Sequence, residues 1–148
     1  MDIGSFRAFQ ITQKTGQHAA DFTKLRIDEL TDGEVIIKVH FSSVNYKDSM
    51  AALGKAQILR KSPLVGGIDL SGEVIISQDP NFREGQQILV TGCGLSELYD
   101  GGYAEYARVK ADSIIPLPEN LDLFKAMALG TAGFTVSLAM QSLIDNHQ

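Results

Sequence analysis

Over the first 117 positions, short apolar-rich segments alternate with turn residues, a spacing that predicts strands. The segments are FRAFQIT from Phe6, FTKLRIDEL from Phe22, EVIIKVHFSS from Glu34, LSGEVIIS from Leu70, QQILVTG from Gln86 and YAEYARV from Tyr103. In EVIIKVHFSS, Val35, Ile37, Val39 and Phe41 fall on one face, and Lys38 and His40 on the other. That period of two marks a half-buried strand. Turn chemistry separates the segments: TDG at Thr31, SQDPNFREG from Ser77 and YDGG at Tyr99. Many short strands punctuated this way predict a barrel or a sandwich.

After Pro116 and Pro118 the texture turns helical. Asp122 caps a first short helix, and Gly130 with Gly133 interrupts the pattern before a second, from about Phe134 to Ile144. The second helix carries Val136, Ala139, Met140, Leu143 and Ile144 on one side and Phe134 and Leu138 on another. Being apolar on two sides, it is expected to pack on both, with one partner outside this chain. The expected class is mainly β (α+β), with short helices and a C-terminal helix.

Composition narrows the function classes. At 148 residues the chain has the size of one domain with a substantial core, and 44% hydrophobic with 21% charged residues places it among globular proteins. A net charge of -5 argues against a nucleic-acid partner. No apolar run approaches the roughly 18 residues that a membrane span needs, and MDIGSFRAFQ lacks the pattern of a leader, so the expected location is cytoplasmic with no membrane partner. A lone Cys93 forms no internal disulfide and supports no thiolate zinc site, and His18, His40 and His147 are too scattered for a histidine cage.

Four places could carry chemistry. FSSVNYKDSMAALGK puts Asn45 at the start of a short helix with Asp48 three residues on, the pattern of an N-cap; Tyr46 adds a flat ring and a hydroxyl at a strand end. GTAG at Gly130–Gly133 permits either close helix packing or close approach to a ligand, with the Thr131 hydroxyl as donor. ILVTGCGLSELYDGG opens like a dinucleotide fingerprint, but Glu97 replaces the third glycine and a turn replaces the helix, so it is expected to be a loop. Cys93 has no nearby base in the sequence and is expected to be passive; Asp69, Glu73 and Glu105 read as structural carboxylates, Glu105 as an edge residue or a partner of Arg108.

Taken together and in order, SSVNYKD, ALGKAQILRKSPLVGGIDLSGEV, DPNFREGQQILVTG, GGYAEYARVKAD and KAMALGTAGFT resemble the N-terminal half of the medium-chain dehydrogenase/reductases, specifically the zinc-independent quinone oxidoreductase and acryloyl-CoA reductase branch. The resemblance runs from about Phe6 to Ile144. It implies a GroES-like, partly open β-barrel as the catalytic domain over 1–129, with residues 130–148 beginning an interdomain helix toward a nucleotide-binding Rossmann domain that this chain does not contain. It implies NADPH as cofactor, bound mainly by that other domain, with Tyr46, Asn45 and Thr131 beside the nicotinamide and Tyr46 as proton donor. Where zinc relatives carry Cys and His, and further on Gly-His-Glu, this chain has Asn45 and Tyr46, then Ile68 and Asp69, so the resemblance implies no zinc. The implied reaction is reduction of an activated C=C bond, as in an enoyl thioester, or of a quinone, and the full-length protein is compatible with a homodimer. The contrasting expectation is a non-catalytic GroES-like binding or oligomerisation module.

Overall fold

A computed structural model describes residues 3–14 and 16–146; His147 and Gln148 lie outside the described residues. Strand β1 (Phe6–Lys14) pairs antiparallel with β2 (Gln17–Leu25) on one side and with β4 (Leu64–Val65) on the other. The second sheet is antiparallel in the order β7 (Tyr106–Val109), β3 (Val35–Phe41), β5 (Asp69–Ser77), β6 (Gln87–Thr91), β8 (Ile115–Pro116). A bridge between Ala8 and Ala104, and the Phe9 N–H donated to the Tyr103 carbonyl at 2.8 Å, stitch the two sheets into a partly open barrel.

The period-two residues make the core. Val35 and Ile37 of β3 pack with Leu70 and Val74 of β5, Ile88 and Val90 of β6, and Ala107 and Val109 of β7. Phe6, Ala8, Leu25, Leu30 and Val65 form a second cluster under the smaller sheet. Phe41 departs from its expected face: the pairing of β3 with β5 slips between Val39 and Phe41, leaving Phe41 41% exposed with its ring edge-on to Phe124 at 5.6 Å. A slip in register turns a side chain to the other side of the sheet.

The segment expected as a strand from Phe22 to Leu30 divides. The strand begins earlier, at Gln17, and ends at Leu25; Ile27–Glu29 then forms a 3-10 turn whose entry is tied by the Arg26 N–H to Glu29 Oε2 at 2.8 Å. QHAAD has little strand preference of its own and is held by residue-for-residue pairing with β1. The two-residue strands β4 and β8 are too short for any period to reveal.

Helix α1 (Tyr46–Ala52) follows the β3 loop, and α2 (Leu123–Asp145) is one helical run with a kink at Gly130, where φ is 51° and ψ is -159°. The helix resumes at once after the kink, so Gly133 does not interrupt it. Before Gly130, Leu123, Ala126 and Met127 are buried, and Ser71 Oγ of β5 donates to the Leu123 carbonyl at 2.8 Å. Beyond it, Phe134, Val136, Leu138, Met140, Leu143 and Ile144 are all exposed, so both apolar sides stand uncovered. By length and composition α2 could cross a membrane, which corrects the reading that no apolar stretch approaches that length. The break leaves about 15 residues in the outer segment, roughly 22 Å of helix against about 30 Å of hydrocarbon.

Candidate functional site

The site is built around Asp69, the first residue of β5, whose side chain is 0% exposed. Three elements send donors to its carboxylate. From the loop after β3, Ser43 Oγ donates to Oδ2 at 2.5 Å and Asn45 Nδ2 donates to Oδ2 at 3.0 Å. From the kink in α2, the Thr131 N–H donates to Oδ2 at 2.9 Å and Thr131 Oγ1 donates to Oδ1 at 2.5 Å. From the end of β6, the Gly92 N–H reaches Oδ1 at 3.3 Å.

An ionised carboxylate without water is costly unless its lone pairs are met by donors. Burial pushes the Asp69 carboxyl up, but the donors from Ser43, Thr131 and Asn45 together outweigh it and hold the group below the usual aspartate range. Asp69 therefore stays charged and sits at the N-terminus of the outer α2 segment, where negative charge is favoured by the helix dipole. The kink needs glycine: with φ at +51°, a Cβ on Gly130 would lie 2.8 Å from Asp69 Oδ2 and 3.0 Å from Ser43 Oγ.

A second buried carboxylate fixes the other side of Asn45. Asp48, 2% exposed, accepts the Asn45 N–H at 2.8 Å through Oδ2 and the Ile68 N–H at 3.0 Å through Oδ1. Asn45 thus heads α1 in a capping box with Asp48 while its Nδ2 is turned to Asp69, so it is both cap and network member. Tyr103 closes the group by donating its hydroxyl to the Ser43 carbonyl at 2.9 Å. Burial and the nearby Asp48 and Asp69 charges push its phenol above the ordinary tyrosine value, so it remains neutral.

Of the three site residues read from sequence, the structure joins Asn45 and Thr131 through Asp69. Tyr46 is the first residue of α1 and is 80% exposed, with its ring outside this network. The Thr131 hydroxyl, expected to donate to a ligand, donates to Asp69 instead. Asp69 was legible only as a structural carboxylate; the signal that could have found it is an aspartate set between Ile68 and Leu70 in an apolar strand. A cleft of about 620 Å³ adjoins the Phe41–Ser49 segment, with Phe9, Phe22, Phe41 and Tyr103 among its walls.

The remaining candidates resolve locally. Glu105 Oε2 accepts the Arg7 N–H at 2.7 Å, while Arg108 reaches Asp32 at 3.5 Å and the Gly33 carbonyl at 2.9 Å, so Glu105 and Arg108 are not partners. Gly92, Cys93 and Gly94 form a left-handed turn with φ of 67°, 48° and 82°, and Cys93 is a free, exposed thiol. Glu97 binds Lys47 at 2.7 Å and Arg60 at 3.1 Å; the Lys47 hydrogen bond is the main reason its carboxyl lies below the usual glutamate range. Among the described residues, no three His, Cys, Asp or Glu side chains come together as metal ligands.

Residues 31–119 match the family of the alcohol dehydrogenase GroES-like domain, and the chain belongs to that family. Among its relatives, an Escherichia coli protein, AcuI, named as a probable acrylyl-CoA reductase, is 45% identical over 94% of this chain. The Bacillus subtilis protein YhfP, whose name assigns it to the quinone oxidoreductases, is 40% identical over 95%. A crystal structure of the yhdH oxidoreductase from Salmonella enterica in complex with NADP superposes with a TM-score of 0.90 at 44% identity, over 94% of this chain and 43% of that one. The chain spans 43% of the length of the E. coli and B. subtilis relatives as well.

Proposed function

We propose that this domain is the substrate-side half of an NADPH-dependent oxidoreductase that reduces an activated C=C bond, as in an enoyl thioester, or a quinone. The observation that carries the reading is the convergence of Asn45 and Thr131, from two separate elements, on one buried carboxylate where the barrel meets the kinked helix. The names of the relatives agree in chemistry.

The residues fit the nicotinamide end of such a cofactor. Glycine at the kink lets the helix backbone close on Asp69 and Ser43, which holds Thr131 and Asn45 as fixed polar groups at one point. They do not fit its phosphates, because the Gly92–Gly94 turn is followed by Glu97, already ion-paired, and by no helix N-terminus. When bound, the cofactor supplies the hydride. This chain's residues orient: Thr131 and Asn45 hold one wall, and the exposed Tyr46 hydroxyl hands a proton to the reduced substrate. On this reading no zinc takes part, since Asn45 and Tyr46, then Ile68 and Asp69, stand where zinc relatives carry Cys and His and then Gly-His-Glu. Gly130 marks the division between the catalytic domain, 1–129, and the interdomain helix from 130 onward. The uncovered outer segment of α2 is the face toward the nucleotide-binding part, and the protein works in the cytoplasm.

The test is NADPH oxidation, followed by absorbance, with acryloyl-CoA and a panel of quinones. The 148-residue chain should be inactive, and the chain extended through its downstream reading frame active. In the extended protein Tyr46→Phe should lower turnover while leaving stability within about 0.5 kcal/mol. An extended protein inert toward the whole panel overturns the reading.

A further inference from the structure

The Asp69 network also fixes which way its hydrogen bonds run. An ionised carboxylate only accepts, so each hydroxyl or amide aimed at it must direct a hydrogen there. Thr131 Oγ1 and Ser43 Oγ each donate to Asp69 at 2.5 Å. Asn45 Nδ2 donates to Asp69 Oδ2 at 3.0 Å and to Ser43 Oγ at 3.2 Å. Ser43 Oγ has therefore taken a donor as well as giving one. Thr131 Oγ1 has given its only hydrogen and keeps its lone pairs. Thr131 is part-exposed, while Asp69 is sealed beneath it. Thr131 Oγ1 is thus left as an acceptor.

We propose that Asp69 is a positioning residue: by holding the hydroxyl hydrogen of Thr131, it fixes Thr131 Oγ1 as an acceptor, so that the site selects a ligand group that donates N–H. The inference rests on the reductase reading, and on that reading the group is the carboxamide NH₂ of the nicotinamide. A ligand offering a carbonyl at the same place would meet lone pairs with lone pairs. The Ser43 and Asn45 contacts serve the same end, because they hold the carboxylate in the orientation that Thr131 needs.

Calorimetric titration of the extended protein with NADP⁺ and with its 3-acetylpyridine analogue, in which a methyl group replaces the amide NH₂, measures the selection. Wild type should bind NADP⁺ about fivefold more tightly than the analogue, the worth of one ordinary hydrogen bond. Thr131→Val should bring the ratio to about one, and Thr131→Ser should keep it. Asp69→Asn should lower it. Because that variant removes a buried charge and can unfold the protein, the wild type supplies a second readout: the Thr131 hydroxyl hydrogen should give a protected downfield proton resonance that Thr131→Val removes. A ratio unchanged in Thr131→Val, a ratio unchanged in a folded Asp69→Asn, or a wild type without that resonance overturns the proposal. Failure of the wild type to bind either dinucleotide overturns the reductase reading instead.

Discussion

At the scale of single residues, Asp69 and Gly130 depend on each other. The carboxylate keeps its charge away from water only because Ser43, Asn45 and Thr131 crowd it with donors, and Thr131 reaches it only because Gly130 has no Cβ. Gly130→Ala combines a strained φ of +51° with a contact to a charged oxygen, so it should cost about 1–3 kcal/mol, measured as a lowered urea midpoint. The pH dependence follows from the depressed Asp69 carboxyl. A group whose folded value lies below its unfolded value, about 3.9, contributes stability above that unfolded value and loses it as pH falls through the folded one. The gap in urea stability between wild type and Asp69→Asn should therefore be constant above about pH 5 and narrow steadily below about pH 4. A gap that stays constant to pH 2 would mean that Asp69 does not titrate as argued.

At the scale of elements, α2 joins two environments. Its first turns are buried against β5, with Ser71 holding the Leu123 carbonyl, whereas the part after Gly130 exposes both of its apolar sides. Exposed Phe134 and Leu138 on one side, and Met140 and Leu143 on the other, are the kind of surface that seeks a partner. The 148-residue chain should self-associate as its concentration rises. Leu138→Lys with Leu143→Lys should abolish this in light scattering while changing unfolding free energy by no more than about 0.5 kcal/mol, since neither side chain is packed. A loss well beyond that would mean the outer segment is part of the folded core.

At the scale of the whole molecule, two antiparallel sheets meet around separate apolar clusters, and the candidate residues Asn45 and Thr131 sit where the larger sheet meets α2. Light scattering also separates the two functional classes. A defined ring that forms on a protein partner would favour a binding module, and the concentration-dependent association expected of an uncovered helix face would not. The matched relatives are more than twice as long as this chain.

The strands β3, β5 and β6, the helix start at Asn45 and the break at Gly130 were legible in the sequence, because period-two apolarity, a capping pair and a glycine act through neighbours a few residues apart. The family was legible too, through five motifs in order. The early start of β2, the outward turn of Phe41 and the two-residue strands were not, because each depends on pairing with a distant strand. Nor was the role of Asp69: its donors lie 24 to 26 residues before it, 23 after it and 62 after it. The sequence by itself determined which residues could form strands, cap a helix and carry polar chemistry. Only the tertiary structure decided that a charge would sit beneath Asn45 and Thr131, since a buried carboxylate is stable only where separate elements bring their donors to one point.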